Sequence, residues 1–281
     1  MRRLLLVVLG LSTSVACSGR TETIIVVAGG SGGAAGAAGS GGGGTGGGAG
    51  DAGLPVFCPS GPGPEMVAIE TPTGWYCIDS TEVTEHNYAD FLDTSPPPQT
   101  GTCSWNTTYE ELTSTPRSLY PRRWVDWCDA RAYCEWAGKR LCGAIGGGTA
   151  PYDKFASAAS SEWYFACSRG GQQSYPYGKT FQEWPCMTAE YPMPTKKVWM
   201  AGWGGCEGGY AGLHDMSGNV REWEDSCKTD AEGPGVSCRL RGGGVGSSQE
   251  FTRCQSDDHM GRSNTDDDVG FRCCADATAL E

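Results

Sequence analysis

Leu213-His214-Asp215-Met216-Ser217-Gly218-Asn219-Val220-Arg221-Glu222-Trp223 is the most informative stretch of the chain. A tight Gly218-Asn219 turn stands between two carboxylates, Asp215 and Glu222. Calcium takes several hard oxygens, and such a turn can aim backbone carbonyls and flanking carboxylates at one. The same pattern can be an ordinary exposed acidic turn.

Three helices can be placed around this turn. The first begins near Thr84, a good N-cap, with Val83 and Tyr88 at the two positions of a hydrophobic staple. Tyr88, Phe91 and Leu92 form its apolar face. The second begins at a cap, Asp126, carries Trp127, Ala130, Cys134 and Ala137 at helical spacing, and stops at Gly138. The third covers about residues 161–168, with Trp163, Ala166 and Cys167 on one side and Gly170 as terminator. Val67-Ala68-Ile69 and Trp75-Tyr76-Cys77-Ile78 read as short strands. The remainder is turn-rich, which points to one α+β domain with many loops over residues 54–281, pinned by disulfides.

The chain ends and composition set the compartment. Met1-Arg2-Arg3, the apolar run Leu4 to Leu11 and the small residues Ser14-Val15-Ala16 form a secretory signal over residues 1–16. Cys17 follows the cut, as in a bacterial lipoprotein, where that cysteine carries lipid; ordinary signal peptidase cleavage is the alternative. Of 15 cysteines, removal of Cys17 leaves an even number that can pair completely. So many cysteines indicate an oxidising compartment. The chain is therefore expected in a bacterial cell envelope, lipid-anchored at the outer membrane or periplasm, and otherwise secreted. Thr23 to Ala28 is a short β-prone run. Residues 29–53 are almost entirely Gly, Ala and Ser, a flexible tether with a mean reach of roughly 25–30 Å. The net charge of −12 makes nucleic acid a poor partner. The fourteen remaining cysteines leave the pairing open, although adjacent Cys273 and Cys274 each need a distant partner.

Several segments, in order, resemble the sulfatase-modifying-factor family, the formylglycine-generating-enzyme fold. They are Trp75 to Thr84 (WYCIDSTEVT), Trp124 to Leu141 (WVDWCDARAYCEWAGKRL), Ser161-Glu162-Trp163 to Arg169-Gly170-Gly171, and Tyr175-Pro176-Tyr177-Gly178. Leu213 to Trp223, Arg241-Gly242-Gly243 and Val269-Gly270-Phe271-Arg272 complete the series. The matches span about residues 65–275. The resemblance implies an irregular α+β domain related to the C-type lectin fold. It also implies a structural calcium held by the Asp215 carboxylate, the Gly218 and Val220 carbonyls and the Glu222 carboxylate. Arg221 stands where the family usually has tryptophan, so the outer packing there must differ. A second calcium site of the family expects asparagine where Met187 stands.

The resemblance also locates a departure. The family's oxidases bind copper through two cysteines shortly after the Arg-Gly-Gly segment, and thiolates are the soft ligands copper(I) requires. Here Ser247 and Thr252 occupy those positions, and Cys254 matches a later structural cysteine. No copper is expected. Other relatives use iron with histidine ligands; only His86, His214 and His259 exist here, without a ligand spacing. Asp257-Asp258 and Asp266-Asp267-Asp268 read as solvated loops. The preferred reading is a tethered, non-catalytic module that binds a protein or carbohydrate partner. The alternatives are a metal-dependent oxidoreductase of the family with altered chemistry, favoured by convergence of His259, Asp257 and Glu222, and a structural envelope component.

Overall fold

The computed structural model describes residues 55–112, 118–192, 197–229 and 232–279. The signal, Cys17, the Thr23 to Ala28 run and the glycine tether lie outside the described residues. The chain runs through β1 (Val56–Phe57), β2 (Met66–Thr71), β3 (Gly74–Asp79), α1 (Glu85–Asp93), α2 (Trp127–Trp136), β4 (Arg140–Leu141) and α3 (Glu162–Ser168). It continues through β5 (Glu207–Gly208), β6 (Tyr210–His214), β7 (Arg221–Cys227), β8 (Ser237–Arg241), β9 (Asp258–Gly261), β10 (Val269–Phe271), β11 (Cys273–Asp276) and β12 (Thr278–Ala279).

Two four-stranded sheets organise these pieces. The first has the order β2-β3-β11-β4, all antiparallel. Its β2–β3 hairpin turns through Pro72-Thr73, and the Thr71 hydroxyl closes the turn by donating to the Gly74 carbonyl at 2.8 Å. The second has the order β10-β7-β8-β9, with β10 parallel to β7. One core lies where α1 and α2 meet the second sheet: Tyr88, Phe91, Tyr133, Trp223 and Phe271 are buried together. Another lies around α3 and the β2–β3 hairpin, with Ile69, Ile78, Trp163, Leu213 and Met216.

The helix starts match their caps. The Thr84 hydroxyl accepts from the Asn87 amide, and the Asn87 side chain accepts from the Thr84 amide, a reciprocal capping box. Asp126 accepts from the Asp129 amide at 2.8 Å, and Gly138 takes a left-handed φ of +71° after α2. Helix α3 differs from its one-sided expectation. All seven of its residues are buried, because it is enclosed by core side chains on every side. Its left-handed cap is Arg169, at φ 53°, one residue before Gly170.

The cysteines from Cys58 onward form seven disulfides. Cys273 bonds Cys134 of α2, and Cys274 bonds Cys142. Successive strand residues point to opposite faces, so neighbours on β11 reach opposite sides of the sheet. Cys254 bonds Cys167, a structural role as expected.

The acidic runs are less solvated than the sequence implies. Asp258 opens β9, and Asp258, Asp266 and Asp268 all pair with the Arg221 guanidinium, at 3.7, 3.0 and 2.6 Å. Asp257 pairs with Arg239. An arginine where the family carries tryptophan thus has its own acidic cradle.

Candidate functional site

The Asp215–Trp223 segment is held by its backbone. Asp215, Gly218 and Asn219 have φ of 58°, 78° and 59°. Asp and Asn tolerate this left-handed region better than other side chains. Gly218 has no alternative, since a Cβ there would lie 2.3 Å from the Met187 carbonyl oxygen. That same carbonyl accepts the Asn219 amide at 2.8 Å, and the Met187 side chain is buried.

The side chains of this segment reach into the centre of the molecule. Glu222 is fully buried and accepts two bonds from Arg272, Nε to Oε2 and Nη2 to Oε1, each at 2.7 Å. The Trp163 indole also donates to Glu222 Oε2 at 2.7 Å. The next inward carboxylate of β7, Glu224, accepts from Arg241 at 2.7 Å and from the Ser161 hydroxyl. Asp215 accepts the Gly202 amide at 2.7 Å.

A third carboxylate joins Asp215 and Glu222. Glu82 is fully buried, and its Oε1 accepts from the Asn219 side-chain amide at 2.9 Å. Its Oε2 is buried and meets no hydrogen-bond donor among the described residues. Burial, then the nearby Asp215 and Glu222 charges, pushes the Glu82 carboxyl well above the usual range, against the pull of Arg272. Burial likewise raises Asp215, to about 6. Three buried carboxylates therefore share the Arg272 guanidinium. Glu82 and Asp215 share a hydrogen bond, so the raised Glu82 carboxyl can donate its proton to the Asp215 carboxylate. Oxygens of this kind have the hardness calcium prefers, but among the described residues those of Glu82, Asp215 and Glu222 do not all lie within 4.8 Å of one another, and both Glu222 oxygens are bonded to Arg272. Glu82 was not singled out by sequence reading, although it is the glutamate of the WYCIDSTEVT segment.

The segment after Arg241 has no thiol chemistry to offer. The Ser247 hydroxyl accepts the Gly244 amide at 2.9 Å, and the buried Thr252 hydroxyl donates to the Gln249 carbonyl at 3.2 Å. Gly244, which replaces the family's serine after Arg-Gly-Gly, lies against Asp268. A Cβ there would be 2.4 Å from the carboxylate oxygen. The three histidines do not gather. Among the described residues, the cluster of three or more His, Cys, Asp or Glu ligand atoms within 4.8 Å of one another is Asp266, Asp267 and Asp268. His259 is exposed against the Tyr152 ring, Asp257 is held by Arg239, and Glu222 is sealed in the core.

Comparison with known proteins gives the family. The sequence profile described as the sulfatase-modifying factor enzyme 1-like domain matches residues 17–277. The chain belongs to this family. It is 29% identical over 186 residues to the formylglycine-generating enzyme of Mus musculus, covering 57% of this chain and 45% of that protein. It is 31% identical over 176 residues to the "Inactive C-alpha-formylglycine-generating enzyme 2" of Bos taurus, covering 56% and 51%. The chain thus spans about half the length of these relatives. The solved structure of PvdO from Pseudomonas aeruginosa shares the fold, with a TM-score of 0.52 and 19% identity over 79% of this chain and 94% of that one.

In this family member, the 184–191 loop runs beside the Ser247–Thr252 segment, and each carries an exposed aromatic side chain. The Ala189 amide donates to the Ser247 carbonyl at 3.1 Å, and the Gln249 amide to Glu190 at 3.2 Å, so the 184–191 loop lies alongside. Trp184 in that loop is 57% exposed and packs edge-on against Tyr191. Phe251 is 44% exposed.

Proposed function

We propose that this sulfatase-modifying-factor family member is an exported, lipid-anchored, non-catalytic binding module. Its partner, a protein or a carbohydrate, docks on the Trp184 and Phe251 face beside Ser247 and Thr252. The observation that carries the reading is the pair of hydroxyls, engaged in local turns, where the family's oxidases have copper-binding thiolates. Rigid aromatic groups on the rim supply contact area at low entropic cost. Two relatives named inactive formylglycine-generating enzymes support it. The complete cysteine pairing from Cys58 onward is consistent with export. We further propose that Asp215, Gly218, Val220 and Glu222, with Glu82, hold a structural calcium. When bound, the ion would neutralise surplus carboxylate charge and brace the loop.

The test is metal analysis by mass spectrometry on the full-length chain, equilibrated with calcium and trace copper and iron. About one calcium per chain and no redox metal is expected. Asp215→Asn should lose the calcium and melt at a lower temperature. Stoichiometric copper or iron would overturn the binding-module reading and favour a metal-dependent oxidoreductase with altered chemistry. A calcium-free chain with an unchanged melting profile in calcium would remove the metal site.

A further inference from the structure

A cavity of about 860 Å³ opens between α2, the end of β7 and the Gly101–Ser104 turn. It includes none of the residues of the Asp215–Glu222 loop or the Ser247–Thr252 segment. One wall is Arg262, which is 6% exposed. Its backbone is fixed: its amide donates to the Val236 carbonyl at 2.7 Å, and its carbonyl accepts from Trp127 at 3.1 Å. Its side chain makes no hydrogen bond or ion pair among the described residues, and Nε is buried and unsatisfied. The guanidinium stands 5.5 Å from the centre of the Trp127 ring, with Arg131 at 5.7 Å from the same ring. Arg131 has Glu135 as its partner at 2.7 Å; Arg262 has none.

A buried guanidinium with no carboxylate in ion-pair contact costs stability unless something supplies that contact. Burial, then the Arg131 charge, lowers its pKa against the pull of Asp225. Asp225 also faces the cavity and attracts Arg262 at a distance, while its Oδ2 accepts from the Thr149 hydroxyl at 3.2 Å. The wall carries four cations, Arg131, Arg140, Lys228 and Arg262, against three carboxylates, Glu135, Asp225 and Glu232, and a single carboxylate matches that excess and the guanidinium fork. The half-buried Trp105 indole, its N–H held by the Thr102 carbonyl at 2.9 Å, offers a flat apolar surface. Exposed hydroxyls of Thr102, Thr149 and Thr229 offer hydrogen bonds to a polyol.

We propose that this cavity binds a hydroxylated monocarboxylate of the sugar-acid class, its carboxylate on Arg262 and its ring against Trp105. The site is independent of the metal loop and of the Trp184 face, so each can fail without the other. The experiment is titration calorimetry on the full-length chain with sodium D-glucuronate, D-glucose and glucose 6-phosphate as probes. Glucuronate should bind at least about tenfold more tightly than either control, the ratio of a lost charge-assisted pair. Arg262→Met should lose about tenfold in glucuronate affinity yet melt no lower than wild type, because it removes an unpaired buried charge. Trp105→Ala should weaken glucuronate several-fold, which keeps the question open to test if Arg262→Met does not fold. Equal binding of glucose and glucuronate, tighter binding of the phosphate, or no glucuronate binding would each overturn the proposal. Unchanged affinity in Trp105→Ala, or a lowered melting temperature in a folded Arg262→Met, would do the same.

Discussion

Asp126 and Asp129 each perform a local task and together carry a cost. Asp126 caps α2, and Asp129 accepts from Gln99 at 2.7 Å, Asn106 at 2.8 Å and the Glu110 amide at 2.9 Å. Burial, then the charge of Asp129, pushes Asp126 up to about 7, and burial pushes Asp129 up to about 6. Both folded values lie above the usual carboxylate range, so between about pH 4 and pH 7 the folded chain holds more protons than the unfolded one. This contribution to stability is complete below the unfolded pKa and is lost as pH rises through the folded values. Asp126→Asn keeps the capping oxygen and removes one titrating group. The loss of melting temperature between pH 4 and pH 7.5 should therefore be smaller in Asp126→Asn than in wild type, measured by calorimetry in calcium-containing buffer. Two other buried charges meet a direct partner: Lys139 meets Asp79 at 2.6 Å, and Arg272 meets Glu222 at 2.7 Å. Arg272→Met leaves three buried carboxylates without their guanidinium. It should destabilise the fold by about 3–5 kcal/mol, read by urea denaturation.

Strand β11 is the element on which both cores depend. It has four residues and pairs with β3 on one side and β4 on the other. So short a strand is held by covalent ties as much as by its ladder. Cys273 reaches α2 across 139 residues of sequence, and Cys274 reaches Cys142 across 132. A bridge that closes so long a loop restricts the unfolded chain strongly. Replacing Cys134 and Cys273 together by Ala should cost about 2–5 kcal/mol, with Cys142–Cys274 still in place. Helix α1 allows a smaller test. Thr84→Ala removes the capping hydroxyl and should cost about 1 kcal/mol, seen as a lower urea midpoint with an unchanged slope.

For the whole molecule, the proposed arrangement is a disulfide-rich body on a glycine tether behind a lipidated Cys17. Among the described residues no helix is long and apolar enough to cross a membrane, so the lipid would supply the attachment. One acyl chain alone holds a protein weakly, and a lipoprotein carries more than one. Cys17→Ser should therefore move the protein from the membrane pellet to the soluble fraction after cell lysis, with the domain's melting temperature unchanged. Retention in the pellet would exclude the Cys17 anchor.

The sequence by itself determined the family, the α+β class, the three helices with the N-caps of the first two, and the structural role of Cys254. These are local statements: a cap, an apolar period and a run of conspicuous motifs are each contained within a few residues. It also determined that no thiol follows Arg241 before Cys254. What the tertiary structure decided is what the motifs are for. Lys139 with Asp79, Arg140 with Glu162 and Arg272 with Glu222 come from distant parts of the chain and meet as ion pairs, with Glu82 beside Asn219. The same holds for the acidic runs, which look solvated in sequence and fold around Arg221. It holds too for Arg262, an ordinary arginine in the sequence until its burial with an unsatisfied Nε is visible. Charge in a sequence is a property of one residue. Whether that charge is solvated, paired or stranded depends on which distant segments surround it, and only the folded chain decides that.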